Sequence, residues 1–318
     1  MGPTLSIIIV YYDALDKLLK TLECLTQVTY DHAKIELIIV NNSSSSIEIP
    51  ESIKCRLNAI KVLSPGFNSG YAGGNNFGYS QSSGETVLFL NPDIFVEPDS
   101  IQKLVSALAK YPYWGAAMGK LMQYDWETQK NLSLVDSVGL SIHRNFRGFD
   151  IGQGESENGK YSSETVIGAV SGAAFFSKRS ALENVQRRDG YVFDPKFFAY
   201  KEDVDLSIRL RRSGYDLIYV PIVFGYHCRS WKGRKDRREV GAFSRYHSFK
   251  NRYLLMAKHM SLATFLLNLP ILAVQELGLF VYVVAFERDI ISAYGAVIKD
   301  MIPILKHRIR RFSKGSSI

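Results

Sequence analysis

The chain has 318 residues, of which 46% are hydrophobic and 22% charged, with 24 glycines, 10 prolines and three cysteines. That composition excludes a disordered, collagen-like or disulfide-stapled chain and suffices for a sizeable buried core. The net charge of +8 points to an anionic partner, whether nucleic acid, a phosphate-bearing substrate or a membrane surface.

Leu5 to Tyr12 is a run of β-branched and aromatic residues, too short to span a membrane, and reads as a buried strand. Asp13 is placed to cap the following helix, whose apolar face is Leu15, Leu18, Leu19, Leu22 and Leu25. Ile35 to Val40 is a second buried strand, ending in Asn41-Asn42 and a serine run. Ile60 to Leu63 and Thr86 to Leu90 are further strands, the latter ending in Asn91-Pro92-Asp93. Ile101, Leu104, Val105 and Leu108 mark another helix. Strands alternating with helices imply an α/β fold with a mainly parallel central sheet and right-handed crossovers. Ligands of such sheets sit at the carboxyl ends of the strands.

Residues 131–163 are polar and Gly-rich and read as an irregular excursion; Val166 to Ser177 returns to the sheet. Glu202 to Arg212 is helical and Leu217 to Val220 a short strand. Arg229 to Lys258 is heavily basic. Phe265 to Phe286 is mostly apolar but interrupted by Asn268, Pro270, Gln275 and Glu276, and a basic tail follows. Cys24, Cys55 and Cys228 have neither metal-ligand spacing nor an even count, so a reducing compartment is expected. The first apolar run has no charged segment before it, so no signal peptide is expected.

Five constellations could carry chemistry. Asp93, just after an apolar strand, could hold a hard divalent cation against a diphosphate, although Asn-Pro-Asp is also good turn chemistry. The glycines of Asn68-Ser69-Gly70-Tyr71-Ala72-Gly73-Gly74-Asn75-Asn76 let backbone amides approach a phosphate or ribose, or simply open a helix. Glu202, Asp203 and Asp205 follow an aromatic cluster at a helix start, where carboxylates suit the helix dipole and one could act as a general base. His227 is either structural or the completion of a site begun by Asp93. Arg229 to Arg252, with Trp231, Tyr246 and Tyr253 interleaved, suits nucleic acid, a diphosphate or a phospholipid head group.

Taken in order, six segments resemble a family 2 glycosyltransferase of the GT-A fold, in its bacterial rhamnosyltransferase-like branch. They are Ser6-Ile7-Ile8-Ile9-Val10, Val40-Asn41-Asn42-Ser43, Gly70 to Asn76, Leu90-Asn91-Pro92-Asp93, Phe197 to Asp205, and His227. The resemblance covers Leu5 to Lys258. It implies that Tyr11, Asp13, Asn41, Gly73, Asn75, Asn76 and Asn91 bind the donor, with Asn41 standing where the family often has Asp. It implies a Mg²⁺ or Mn²⁺ ion held by Asp93 and His227, Asn91 replacing the first Asp of the family's Asp-any-Asp motif. Asp203 matches the catalytic base and Glu202 its neighbour, in a single inverting displacement. Trp231 and Arg252 are expected to contact the acceptor or diphosphate.

The implied organisation is a GT-A catalytic domain over 1–228, a basic loop and helix over 229–260 closing the active site, and a helical, amphipathic C-terminal extension over 261–318. The implied donor is a dTDP- or UDP-sugar carrying rhamnose or a hexose, and the acceptor a saccharide or lipid-linked glycan of cell-surface polysaccharide. The C-terminal extension is expected to lie as interfacial helices on an anionic membrane, which places the enzyme peripherally at the inner face of the cell membrane. A helix packed on protein, or a contact between copies in a homo-oligomer, is the alternative. The rival functions are a basic nucleic-acid-binding module, which leaves Asp93, Glu202 and Asp203 idle, and a nucleotidyltransferase on a related sheet; no nucleic-acid partner is expected.

Overall fold

A computed structural model describes residues 4–57, 59–229 and 240–313. The chain opens with β1 (Leu5–Tyr11), α1 (Leu15–Leu25), β2 (Ile35–Asn41), α2 (Glu51–Lys54), β3 (Ile60–Leu63), α3 (Gly70–Ser80) and β4 (Thr86–Leu90). β1 and β2 are buried along their whole lengths, as their largely apolar runs require of strands covered on both faces, and the buried Ser6 and Glu36 that interrupt them bond each other at 2.7 Å. They pair in parallel from Leu5–Ile35 to Tyr11–Asn41, and β4 and β3 extend the parallel set on either side. α1 buries Leu18, Leu22 and Leu25, the centre of its apolar face. Asp13 does not cap it. The N-cap is Ala14 at φ 64°, and the Asp13 carboxylate instead accepts the Ala14 N–H at 2.8 Å.

The second half is β5 (Ile94–Val96), α4 (Ser100–Ala109), β6 (Trp114–Asp125), β7 (Lys130–Ser137), β8 (Leu140–Ile142), β9 (Gly148–Asp150), β10 (Thr165–Val166), β11 (Ala174–Lys178), α5 (Arg179–Asp189), α6 (Glu202–Arg212) and β12 (Asp216–His227). The main sheet runs β10-β12-β6-β11-β4-β1-β2-β3, with β5 on β12 and β7 on β6. Here the sheet becomes mixed: β11 runs antiparallel to both β4 and β6, while β12 is parallel to β6. The excursion over 131–163 is less irregular than its composition suggests, because Lys130–Ser137 folds back on β6 as β7. β12 is also longer than Leu217 to Val220. Pro221 interrupts the apolar pattern, but the register shifts between Val220 and Val223, a bulge that tolerates its missing N–H.

α3 lies unusually close to β1. A Cβ on Gly78 would stand 2.5 Å from Ile8 Cγ2, and one on Gly74 2.8 Å from Val10 Cγ1. That close approach sets the α3 N-terminus at the carboxyl ends of the parallel strands.

The chain divides into two compact units. The first comprises Met1–Ser141, Phe149–Phe198 and Glu202–Gly233 and holds the sheet. The second comprises Ile142–Gly148, Ala199–Lys201 and Arg234–Ile318. It contains α7 (Ala242–His259), α8 (Leu262–Phe286) and α9 (Ser292–Ser313) around a small core of Phe249, Val283, Ile290, Ala293 and Val297. α8 runs unbroken through Pro270 and is long and apolar enough to cross a membrane. Glu276, its one charged residue, is turned onto α7: Arg252 Nη2 donates to it at 2.5 Å and the Tyr253 hydroxyl also bonds it.

Candidate active site

Three strand ends and the start of α3 meet at one edge of the sheet. After β1 come Tyr11, which is buried, and Tyr12 and Asp13, which are exposed. After β2, Asn41 accepts the Ser43 N–H at 3.0 Å and donates to the Ser45 carbonyl at 2.7 Å, so its amide shapes the serine loop. Asn42 donates to the Gly70 carbonyl at 2.9 Å and accepts from Ser69 Oγ at 3.0 Å, tying that loop to the α3 N-terminus. Gly70 itself sits at φ 71°, and a Cβ there would lie 2.5 Å from the Phe198 carbonyl oxygen. Only glycine serves at that point. Gly73 faces Ser69, whose Cβ would be 2.9 Å from an added Cβ.

Asn91-Pro92-Asp93 is pinned on three sides. The Asn91 N–H donates to Ala173, Thr21 Oγ1 to the Pro92 carbonyl, and the Cys228 N–H to the Asp93 carbonyl. The turn and the site are therefore one feature: the turn's backbone is held so that the Asp93 side chain meets β12. There Asp93 Oδ1 lies 3.5 Å from His227 Nε2.

His227 is buried, and its other ring nitrogen, Nδ1, is 2.8 Å from Asp136 Oδ2. Arg229 Nε lies 2.9 Å from Asp136 Oδ1, and Arg229 Nη2 reaches Asp150 Oδ2 at 3.0 Å. Burial alone would lower the His227 pKa, but the charges of Asp136 and Asp93 outweigh it and raise the value to about 9. Burial would likewise raise Asp136, but His227 and Arg229 hold it below the usual carboxylate range.

The second cluster lies at the α6 N-terminus. Asp203 Oδ2 accepts the Gly172 N–H at 2.8 Å, and Oδ1 accepts the Val204 N–H at 2.7 Å. The two bonds fix the carboxylate's rotamer. Gly172 is closely fitted, since a Cβ would stand 3.2 Å from Asp203 Oδ2. Glu202 is buried beside it. Asp205 is not part of the cluster: it is fully buried and paired with Arg209 Nε at 2.7 Å. Tyr71 adjoins Asp203 through Gly172. Its hydroxyl donates to the Gly172 carbonyl at 2.5 Å, and its pKa is raised first by burial and then by the charges of Glu202, Asp203 and Asp93.

The structure thus brings Asp93 to His227, and brings Asp203 and Tyr71 together on the backbone of Gly172. Other expected residues take up local duties. Asn76 grips residue 193, donating to its carbonyl at 2.7 Å and accepting its N–H at 2.9 Å. Asn75 donates to the Tyr71 carbonyl at 2.9 Å, with its Oδ1 buried and without a hydrogen-bond partner. Arg252, in the second unit, is spent on the Asn145 carbonyl and Glu276. Trp231 lies outside the described residues. Tyr71, Gly172, Asp136, Asp150 and Arg229 were not singled out as site residues by sequence. Tyr71 and Arg229 sit within conspicuous motifs, whereas Asp136 and Asp150 carry no sequence signal beyond being carboxylates.

Asp93 and His227 fit a divalent cation of the Mg²⁺ or Mn²⁺ kind. Ligands at 2.0–2.2 Å and right angles are about 3 Å apart, close to the spacing seen. Among the described residues no three His, Cys, Asp or Glu side chains could form a complete protein cage. The donor set is therefore one that a diphosphate and water would have to complete.

Residues 6–184 match Glycosyl transferase family 2. The N-acetylglucosaminyl-diphospho-decaprenol L-rhamnosyltransferase of Mycobacterium tuberculosis is 26% identical over 222 residues, 64% of this chain and 69% of that one. The uncharacterized protein y4gI of Sinorhizobium fredii is 28% identical over 76% of this chain, which spans only 26% of that relative's length. The mannosyltransferase PcManGT from Pyrobaculum calidifontis, solved with GDP-Man and Mn²⁺, superposes with a TM-score of 0.54 at 15% identity. That superposition covers 100% of this chain and 77% of the other, and it is a likeness of fold.

Proposed function

The chain belongs to glycosyl transferase family 2, and from that premise we propose how its site works and on what substrates. It is a glycosyltransferase of GT-A fold. Its donor is a nucleotide sugar, dTDP-rhamnose or a UDP-hexose, bound at the carboxyl ends of β1, β2 and β4. Its acceptor is a hydroxyl of a lipid-linked saccharide in cell-surface polysaccharide synthesis. The carrying observation is that the Asp93 side chain, at the end of β4, meets His227 at 3.5 Å, while the backbone of Gly172 bonds both Asp203 and, at the start of α3, Tyr71. The relative that transfers rhamnose to a diphospho-decaprenol glycan supports the choice of acceptor.

The residues divide the work. Asp203, held in place by the amides of Gly172 and Val204, accepts the proton of the acceptor hydroxyl as its oxygen attacks the anomeric carbon. The bond from that carbon to the diphosphate oxygen breaks on the opposite side, and the nucleoside diphosphate leaves with inverted sugar configuration at the product. Glu202 supports Asp203. Tyr11, Asp13, Asn41, Gly73, Asn75, Asn76 and Asn91 form or shape the donor pocket. Asp93 and His227 hold a divalent cation, which when bound neutralises charge on the departing diphosphate. The PcManGT structure contains Mn²⁺, which supports a divalent cation in a site of this fold.

A nucleic-acid reading would leave Asp93, Glu202 and Asp203 idle, and among the described residues of the basic segment several cations are already paired. Arg229, Arg245, Lys250 and Arg252 each pair with a carboxylate. The C-terminal helices suit a lipid surface instead. Leu267, Ile271, Val274 and Leu277 of α8 are more than half exposed, and the helix's one charge faces away from them. We place the enzyme peripherally at the cytoplasmic face of the membrane, where lipid-linked acceptors reside.

The test is transfer from dTDP-rhamnose or UDP-glucose to N-acetylglucosaminyl-diphospho-polyprenol with Mn²⁺. A longer lipid-linked glycan that requires Asp203 supports the proposal. Release of pyrophosphate from a nucleoside triphosphate, with no sugar transferred, would replace it by a nucleotidyltransferase.

A further inference from the structure

We infer that Asp136 is a positioning residue for His227, and that Arg229 and Asp150 brace it from behind. The inference rests on the metal-holding role proposed for Asp93 and His227. Asp136 stands near the end of β7, 1% exposed, in the excursion between β6 and β11. A carboxylate so buried costs several kcal/mol unless it is fully compensated. Both of its oxygens are used: Oδ2 toward His227 Nδ1 at 2.8 Å, Oδ1 toward Arg229 Nε at 2.9 Å. Arg229 is in turn fixed by Asp150 at 3.0 Å.

The direction of this chain is what matters. An imidazole whose Nδ1–H is given to a carboxylate has its other nitrogen available, pointing away from that carboxylate. For His227 that nitrogen is Nε2, 3.5 Å from Asp93 Oδ1. Arg229 Nε also stands 3.2 Å from Nδ1, but the shorter contact is to a carboxylate that can only accept, so Nδ1 carries the proton, and Asp136 thereby selects the tautomer and leaves Nε2 for the cation. The ring cannot swing to offer Nδ1 without giving up Asp136. Such outer partners commonly set metal affinity by about 10–100-fold. A purely structural alternative is that Asp136, His227 and Arg229 only staple β7 to β12.

The two readings separate by whether Asp136 acts through His227. Mn²⁺ affinity is measured in the presence of UDP for wild type, Asp93→Ala, His227→Ala, Asp136→Asn and the double variant His227→Ala/Asp136→Asn. Folding of each is checked by circular dichroism, and Asp150→Asn serves as the milder variant should Asp136→Asn not fold. The expected result is a loss of about 10–100-fold in Asp136→Asn, with no further loss when it is added to His227→Ala. A smaller loss in the same direction is expected for Asp150→Asn. Undiminished Mn²⁺ affinity in Asp136→Asn, or in its stand-in Asp150→Asn, alongside weakened binding in His227→Ala, overturns the inference and leaves the metal site standing. Additive losses in the double variant also overturn it, since a staple would act independently of the ring. Unchanged affinity in Asp93→Ala and His227→Ala overturns the metal site itself and the inference with it.

Discussion

At the scale of single residues, two carboxylates with different surroundings carry the proposed chemistry. Asp203 is held by two backbone amides at a helix N-terminus and Asp93 faces His227. Asp203→Asn keeps the shape but cannot take a proton, so transfer is expected to fall by about 10²–10⁴-fold. Calorimetry should find donor binding retained; loss of binding would make Asp203 a structural residue instead. The histidines predict the pH dependence of the metal-free protein. His227 has its folded pKa raised to about 9, above 6.5 when unfolded, so its contribution is full below pH 6.5 and is lost as pH rises through 9. Burial and Lys250 lower His247 to about 4, the opposite sign, so stability falls as pH drops from 6.5 toward 4. Melting curves of wild type and His227→Gln across this range should converge above pH 9. Asp93, His227 and Asp203 were legible because each stands in a motif at an element boundary. Asp136 was not: in Leu134-Val135-Asp136-Ser137 it reads as one polar position of a half-polar strand, and only the pairing of β7 with β6 brings it to His227.

At the scale of elements, the packing of α3 on β1 determines where the glycine loop stands. Gly78→Ala should force the helix off Ile8 and cost about 1–3 kcal/mol by chemical denaturation. An unchanged midpoint would mean that α3 can shift freely. In the second unit, Asn251 donates to the carbonyls of Ala199 and Tyr200 at 2.8 and 2.7 Å, while Tyr200 and Lys201 hold positive φ of 70°. Positive φ in such residues is unfavourable and must be held by its surroundings. Asn251→Leu is therefore expected to open the segment to trypsin at Lys201, with wild type resistant under the same conditions. The parallel strands and their helices were readable because the strands are rich in Ile, Val and Leu and the periods of strand and helix are distinct. The mixed half was harder to read. Pro221 hid most of β12 until the bulge explained it, and the low apolar content of Lys130–Ser137 concealed β7. α8 ran on through Pro270, where composition suggested interruption, because a single proline costs a long apolar helix one hydrogen bond rather than its whole length.

At the scale of the whole molecule, the proposed donor site belongs to the first unit and the helix proposed to meet lipid to the second. Leu267 and Val274 are 81% and 74% exposed, and changing both to lysine should sharply reduce co-sedimentation with phosphatidylglycerol vesicles. Unchanged vesicle binding, with a shift from dimer to monomer, would assign the helix to a contact between copies. The family accounts for the reaction class; base, sugar and cation depend on the site itself. The most direct test of the central claim is calorimetric binding of UDP and dTDP, with and without Mn²⁺, to wild type and Asp93→Ala. The account predicts binding of one nucleotide that Mn²⁺ strengthens and Asp93→Ala weakens. Binding of neither nucleotide, or binding indifferent to both Mn²⁺ and Asp93, would contradict a metal-dependent donor site at the carboxyl ends of these strands.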